Sequence, residues 1–242
     1  MRALAGATGR DTRLRDPAYR RATMASPASP TLREHARLPL ALLLVFALVS
    51  VATLIHPPAG RTSWALEVGP GLCGIAVLIG VYRRFPMSHI VYVGVFIHVL
   101  ILVWGGYYTY ALNPLGAWAQ QAFHLSRNHY DRIGHFALGA FPALTIREVL
   151  LRRTPLVRGG WLTFIVLAIV LAIGAFWELI EWWTTLLVAP DVGQAFLGSQ
   201  GDIWDAQWDM LMALIGAAFS LPLLGRAHDR SMARGPAITP RS

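Results

Sequence analysis

Six apolar runs, each about one bilayer long, constrain this chain more than any other feature. They lie at approximately residues 38–56, 64–82, 88–110, 133–151, 161–188 and 207–224. About 20 residues at roughly 1.5 Å each cross a hydrocarbon core of about 30 Å. In hydrocarbon every backbone N–H and C=O must be paired within the protein, so runs of this kind cross as helices. The expected fold is an all-α polytopic membrane bundle with about six transmembrane helices. Composition agrees: 55% of residues are hydrophobic, mean hydropathy is +0.48, and only 14% are charged. Soluble domains carry about 25% charged residues.

Three regions follow. Residues 1–37 are rich in Arg, Pro, Ser and Thr and read as a disordered arm. Residues 38–225 form the transmembrane domain, and residues 226–242 a disordered cytoplasmic tail. Met24 is an alternative translation start within the arm, and no cleavable leader is evident. Cys73 is the sole cysteine, which excludes an intrachain disulfide.

The net charge is +8, and every one of the 21 basic residues is arginine. Eighteen of them fall in the arm, at Arg83-Arg84, between Arg147 and Arg158, or in the tail. Only Arg61, Arg127 and Arg132 fall on the other side. The positive-inside bias puts both termini in the cytoplasm of a bacterial inner membrane. Topology accounts for the basic charge, so no nucleic-acid partner is expected; the lipid bilayer is the expected environment. Trp64, Tyr107, Tyr108, Tyr110, Trp182, Trp183, Trp204 and Trp208 then form an aromatic belt at the outer interface.

Against this apolar background stand acids and a histidine: Asp131, Arg132 and His135; Glu178 and Glu181; Asp202, Asp205 and Asp209. A charge in a membrane segment costs a few kcal/mol even on lenient scales. Helical rise places His135, Glu181 and Asp209 at one level, roughly 10 Å outward of the midplane, with Glu178 a turn deeper. Glu67 reaches the same level. The spacings i, i+4 (Asp131, His135), i, i+3 (Glu178, Glu181) and i, i+3, i+7 (Asp202, Asp205, Asp209) let each set face the bundle interior. Capping explains Asp131, Asp202 and Asp205 near helix starts. It does not explain His135, Glu178, Glu181 and Asp209.

The motifs Tyr130-Asp131-Arg132-Ile133-Gly134-His135-Phe136, Phe176 through Trp183 and Gly201 through Met210 resemble the YjdF-like family of bacterial inner-membrane proteins. The resemblance spans roughly residues 40–225. It implies a fold and a membrane location; it carries no activity. A looser similarity links Asp131, His135-Phe136, Glu178, and Asp209 with Gly216 to VanZ-like proteins, associated with glycopeptide resistance. The Asn that often follows the last Asp there is absent, with Ala213 one turn on.

Three readings of the cluster arise. In the first, His135, Glu178, Glu181 and Asp209 bind a divalent metal such as Zn, Mn or Mg, or exchange protons. They then act on a membrane or cell-envelope substrate. Asp131, Arg132, Asp202 and Asp205 surround that site or stand at its mouth. In the second, the cluster couples protons or ions to transport. In the third, it is a structural network in which Arg132 pairs with Asp131, Glu178, Glu181 or Asp202. His98 is read as a hydrogen-bonded core histidine, and Glu148 with Arg147 and Arg152 as an interfacial ion-pair cluster.

Overall fold

The computed structural model describes residues 30–188 and 190–236. Among the described residues there are helices and no strands. Six helices are long: α1 (Leu32–Ile55), α2 (Arg61–Val81), α3 (His89–Tyr108), α5 (Tyr130–Arg153), α6 (Gly160–Thr185) and α8 (Asp205–Ala233). Two short ones, α4 (Pro114–Ala122) and α7 (Pro190–Leu197), occupy connections between the expected spans. Asn113 starts α4 by accepting a hydrogen bond from the Leu115 amide at 3.1 Å, with Pro114 at the first helical position.

Helix ends differ from expectation where polar chemistry extends a span. α1 begins at Leu32 rather than 38, because Thr31 and Glu34 form a capping box. The remainder of the expected arm, residues 1–29, lies outside the described residues. α8 runs to Ala233, well into the segment read as a disordered tail. Its last turns are tied down by Arg147–Asp229 at 2.9 Å and by His228 against Glu148. Residues 237–242 lie outside the described residues.

Five of the six long helices are apolar enough to cross a membrane by composition alone. α5 is the exception, and its position explains why. It packs against α3, α6 and α8, so protein rather than lipid surrounds its polar residues. The α5–α8 interface is the most extensive and the closest. A Cβ on Gly139 would collide with the Ala213 carbonyl oxygen, and one on Gly216 with the Phe136 carbonyl oxygen. The two backbones therefore touch, the packing that small residues allow in membranes. Ala143, Leu162, Val166, Val170, Ala213 and Ala217 fill the core that α5, α6 and α8 share. A second core, with Phe46, Trp64, Val68, Val99 and Val103, joins α1, α2 and α3.

Outward faces are greasy, as lipid requires: Leu44, Leu48, Phe164 and Leu223 are each more than 60% exposed. Trp182, Trp183, Trp204 and Trp208 are exposed near one end of the bundle, as a belt would be. Trp64 and Tyr110 are not belt residues. Trp64 is buried and donates to Thr53 Oγ1 at 3.1 Å, and Tyr110 points inward.

α2 and α6 form no extended packing with each other. Between them lies a cleft floored by α3 and α5, and α7 bridges α2 and α6 at one end of it.

Candidate functional site

The expected level of acids exists at that bridged end. Glu67 and His135 lie in the second turn of α2 and α5, Asp209 in the second turn of α8, and Glu181 in the last two turns of α6. Within this level the charges sort into two layers.

The first layer is paired with arginine. Arg127 Nη1 donates to Asp205 Oδ1 at 2.5 Å, lies 3.6 Å from Asp202 Oδ2, and its Nη2 donates to the Gly198 carbonyl at 3.0 Å. Arg132 Nη2 meets Asp202 at 2.9 Å and Asp205 at 3.2 Å, while its Nε lies 3.4 Å from Asp209 Oδ1. Its guanidinium also covers the Trp208 ring at 5.4 Å. Of the partners expected for Arg132, only Asp202 is realised; Asp205 and Asp209 replace the others. The Trp204 amide, and then the Arg132 guanidinium, hold the Asp202 carboxyl below the usual carboxylate range. Burial, followed by the charges of Arg132 and Arg127, pushes the His129 imidazole below its usual value. Gly198 closes this layer: its φ of 64° favours glycine, and a Cβ there would sit 3.2 Å from Asp131 Oδ2.

The second layer meets arginine only at Asp209, through the Arg132 contact above. His135, 4% exposed, places Nε2 at 3.5 Å from Asp131 Oδ1 and Nδ1 at 3.7 Å from Glu178 Oε1. Neither contact is a hydrogen bond. His135 Nδ1, Glu178 Oε1, Asp209 Oδ1 and Glu67 Oε1 are all buried atoms without a hydrogen-bond partner. Neutral imidazole offers one donor and one acceptor, whereas two carboxylates offer only acceptors. The trio Asp131–His135–Glu178 is thus one positive charge short of satisfaction, supplied by either a second proton or a cation. One ligand atom each from Asp131, His135 and Asp209 lie within 4.8 Å of one another. Donors about 2.1 Å from a shared ion are at most about 4.2 Å apart, so small side-chain shifts would let the three share one.

Glu181 is close by with a different outlook. It accepts from Trp177 Nε1 at 2.7 Å and lines the cleft together with Glu67, Tyr110, Asp131 and His135. Glu178 and Asp209 lie behind His135, outside that lining. His135 is therefore a wall between the cleft and the deeper acids. Asp131, expected at the periphery, stands directly beside it.

Some residues were not anticipated. Arg127 is distant in sequence and gave no signal beyond its charge. Tyr110 reaches the cleft because Gly105 and Gly134 leave room for its ring. Glu67 was legible only through its depth. His98, expected to be hydrogen-bonded, has Nε2 buried without a partner, faces the cleft and stacks on Phe141.

A second buried polar network lies at the opposite end. Glu148, fully buried, accepts from the Ser88 amide at 2.8 Å, Ser88 Oγ at 2.5 Å, His228 Nε2 at 2.9 Å and Arg152. The expected ion pair with Arg152 is present, Arg147 instead meets Asp229 and His228, and Ser88 and His228 enclose the carboxylate.

No solved structure matches the chain. The Escherichia coli (strain K12) protein described as "Inner membrane protein YjdF" is 38% identical over 216 residues, 89% of this chain and 100% of that relative. Residues 38–230 match the family described as "Predicted membrane protein (DUF2238)". With these helices and this coverage, the chain belongs to the DUF2238 family of integral membrane proteins.

Proposed function

We propose that this is an inner-membrane protein with both termini cytoplasmic, whose carboxylate–histidine layer opens toward the outer leaflet. There it carries out a metal-assisted activity on a membrane-borne or cell-envelope substrate. The arginine bias supports the orientation. One observation carries the site: His135 stands between two carboxylates that it cannot both satisfy, in a cluster with orphaned buried atoms. Asp131, His135 and Asp209 would hold a divalent cation, which would supply the missing charge and Lewis acidity. Glu178 steadies the rear nitrogen of His135. Glu181, on the cleft wall, is placed to accept a proton. Arg127 and Arg132, with Asp202 and Asp205, hold α5, α7 and α8 in register around the site.

The test is metal content. Protein purified without chelator and analysed by elemental mass spectrometry should retain close to one Zn or Mn per chain. His135→Gln should lose it while keeping its elution volume and unfolding midpoint. Wild-type protein that neither retains nor titrates a divalent ion overturns the metal. Proton coupling and a structural network are then the remaining readings, and the cleft that runs from Glu67 to Arg153 favours the first. Proton flux in proteoliposomes would test it.

A further inference from the structure

We propose that the cleft between α2 and α6 binds one hydrocarbon chain of a membrane lipid, and that Glu67 hydrogen-bonds a hydroxyl- or amine-bearing headgroup beside His135. This deepens the reading above by naming the class of substrate, and it rests on that reading for the chemistry.

The argument begins with shape. The cleft has a volume of about 670 Å3. Its lining on α2 runs from Glu67 to Val81, about 21 Å along the helix. The cleft is a long channel along one helix, a shape that suits an extended chain. Its volume falls within the range of about 300–1,000 Å3 typical of small-molecule sites.

Chemistry along the cleft is graded. Val95, Val99, Leu102, Leu138 and Ile146 form an apolar middle, suited to a hydrocarbon chain. The polar demand is concentrated at the acidic end. Glu67 is 3% exposed, faces the cleft, and leaves Oε1 without a partner. A buried acceptor without a donor is unfavourable, and a ligand donor would relieve it. Arg153 at the far end is exposed, so it is not a buried group that a ligand must satisfy, and its guanidinium stacks on Phe85 at 4.6 Å. Headgroup and acids thus belong together. Glu67 and Glu181, which hold no cation in the reading above, offer acceptors that suit a hydroxyl or ammonium donor.

Gly74 provides the probe. It lines the cleft, and a Cβ there meets nothing within 4 Å, so a larger side chain fits the fold and narrows the channel. Protein in nanodiscs would be irradiated with a monopalmitoylglycerol carrying a diazirine near the chain terminus, and the adducts mapped by mass spectrometry. Adducts should fall on cleft residues of α2, α3 and α5 at about five-fold or more over the lipid-facing Leu44 and Leu48 of α1, a ratio worth roughly 1 kcal/mol. Gly74→Leu should remove most of that excess while retaining metal. Glu67→Leu should weaken capture, and Glu67→Gln should restore much of it. Even labelling of the cleft and α1, or indifference to Gly74→Leu, overturns the lipid chain. Equal competition by palmitoyl phosphate overturns the headgroup assignment. If His135→Gln loses metal but captures the lipid normally, the cleft stands; loss of metal from wild-type protein alone overturns only the proposed chemistry.

Discussion

The two ends of this bundle each bury a carboxylate beside a histidine and treat it in opposite ways. Glu148 is enclosed by Ser88, His228 and Arg152, and both of its oxygens are occupied. Around His135 four carboxylates gather, with orphaned atoms on Glu67, Glu178 and Asp209. The first arrangement is what a membrane protein does with charge when stability is the only requirement. The second leaves polar capacity unused beside a cleft, the feature on which the proposed site rests. The difference teaches that burial of an acid does not identify a site; the count of its partners does.

Substitution can break or sharpen that contrast. Glu148→Ala should have the largest effect, about 3–5 kcal/mol, because it strands Arg152 without a counter-charge and leaves the His228 Nε2 donor unpaired. A steep fall in the detergent unfolding midpoint would show it, and a neutral result would erase the distinction. Next is Arg127→Ala, at about 1–3 kcal/mol: it frees the Gly198 carbonyl, although Asp205 keeps Arg132. Faster proteolysis in the 186–204 connection would report it. His135→Gln should stay within about 1 kcal/mol of wild type, since it removes no hydrogen bond. Metal retention should nevertheless fall by about ten-fold or more. Asp202→Asn should be smallest. The folded-state pKa of Asp202 is lowered from 3.8, so its contribution is present above that value and is lost as pH falls through the depressed one. Midpoints measured across acid pH should converge for wild type and variant at the lowest values.

Much of this was legible in the sequence because the hydrocarbon solvent imposes a strict grammar. The six spans follow from run length, and the common depth of His135, Glu181, Asp209 and Glu67 follows from helical rise. Partner choice was not legible. Arg127 meets Asp205 across 78 residues, and Glu148 meets His228 across 80, pairings set by how α5 and α8 cross. Periodicity carries no information about such crossings. The end of α8 was missed for the same reason: its last turns are held by the Glu148 network, which no apolar pattern announces. Capping made Asp131 look dispensable, yet a residue in the first turn of a buried helix both caps it and faces its interior.

The backbone contact at Gly139 and Gly216 carries a mechanical consequence. Gly139 lies about 6 Å along α5 from His135 and about 13 Å from Glu148. Gly216 likewise separates Asp209 from His228 on α8. A side chain at either position would meet the opposite backbone, so even alanine forces α5 and α8 apart. That separation would loosen the acidic cluster at one end and the Glu148 network at the other, so two glycines set the spacing on which both depend.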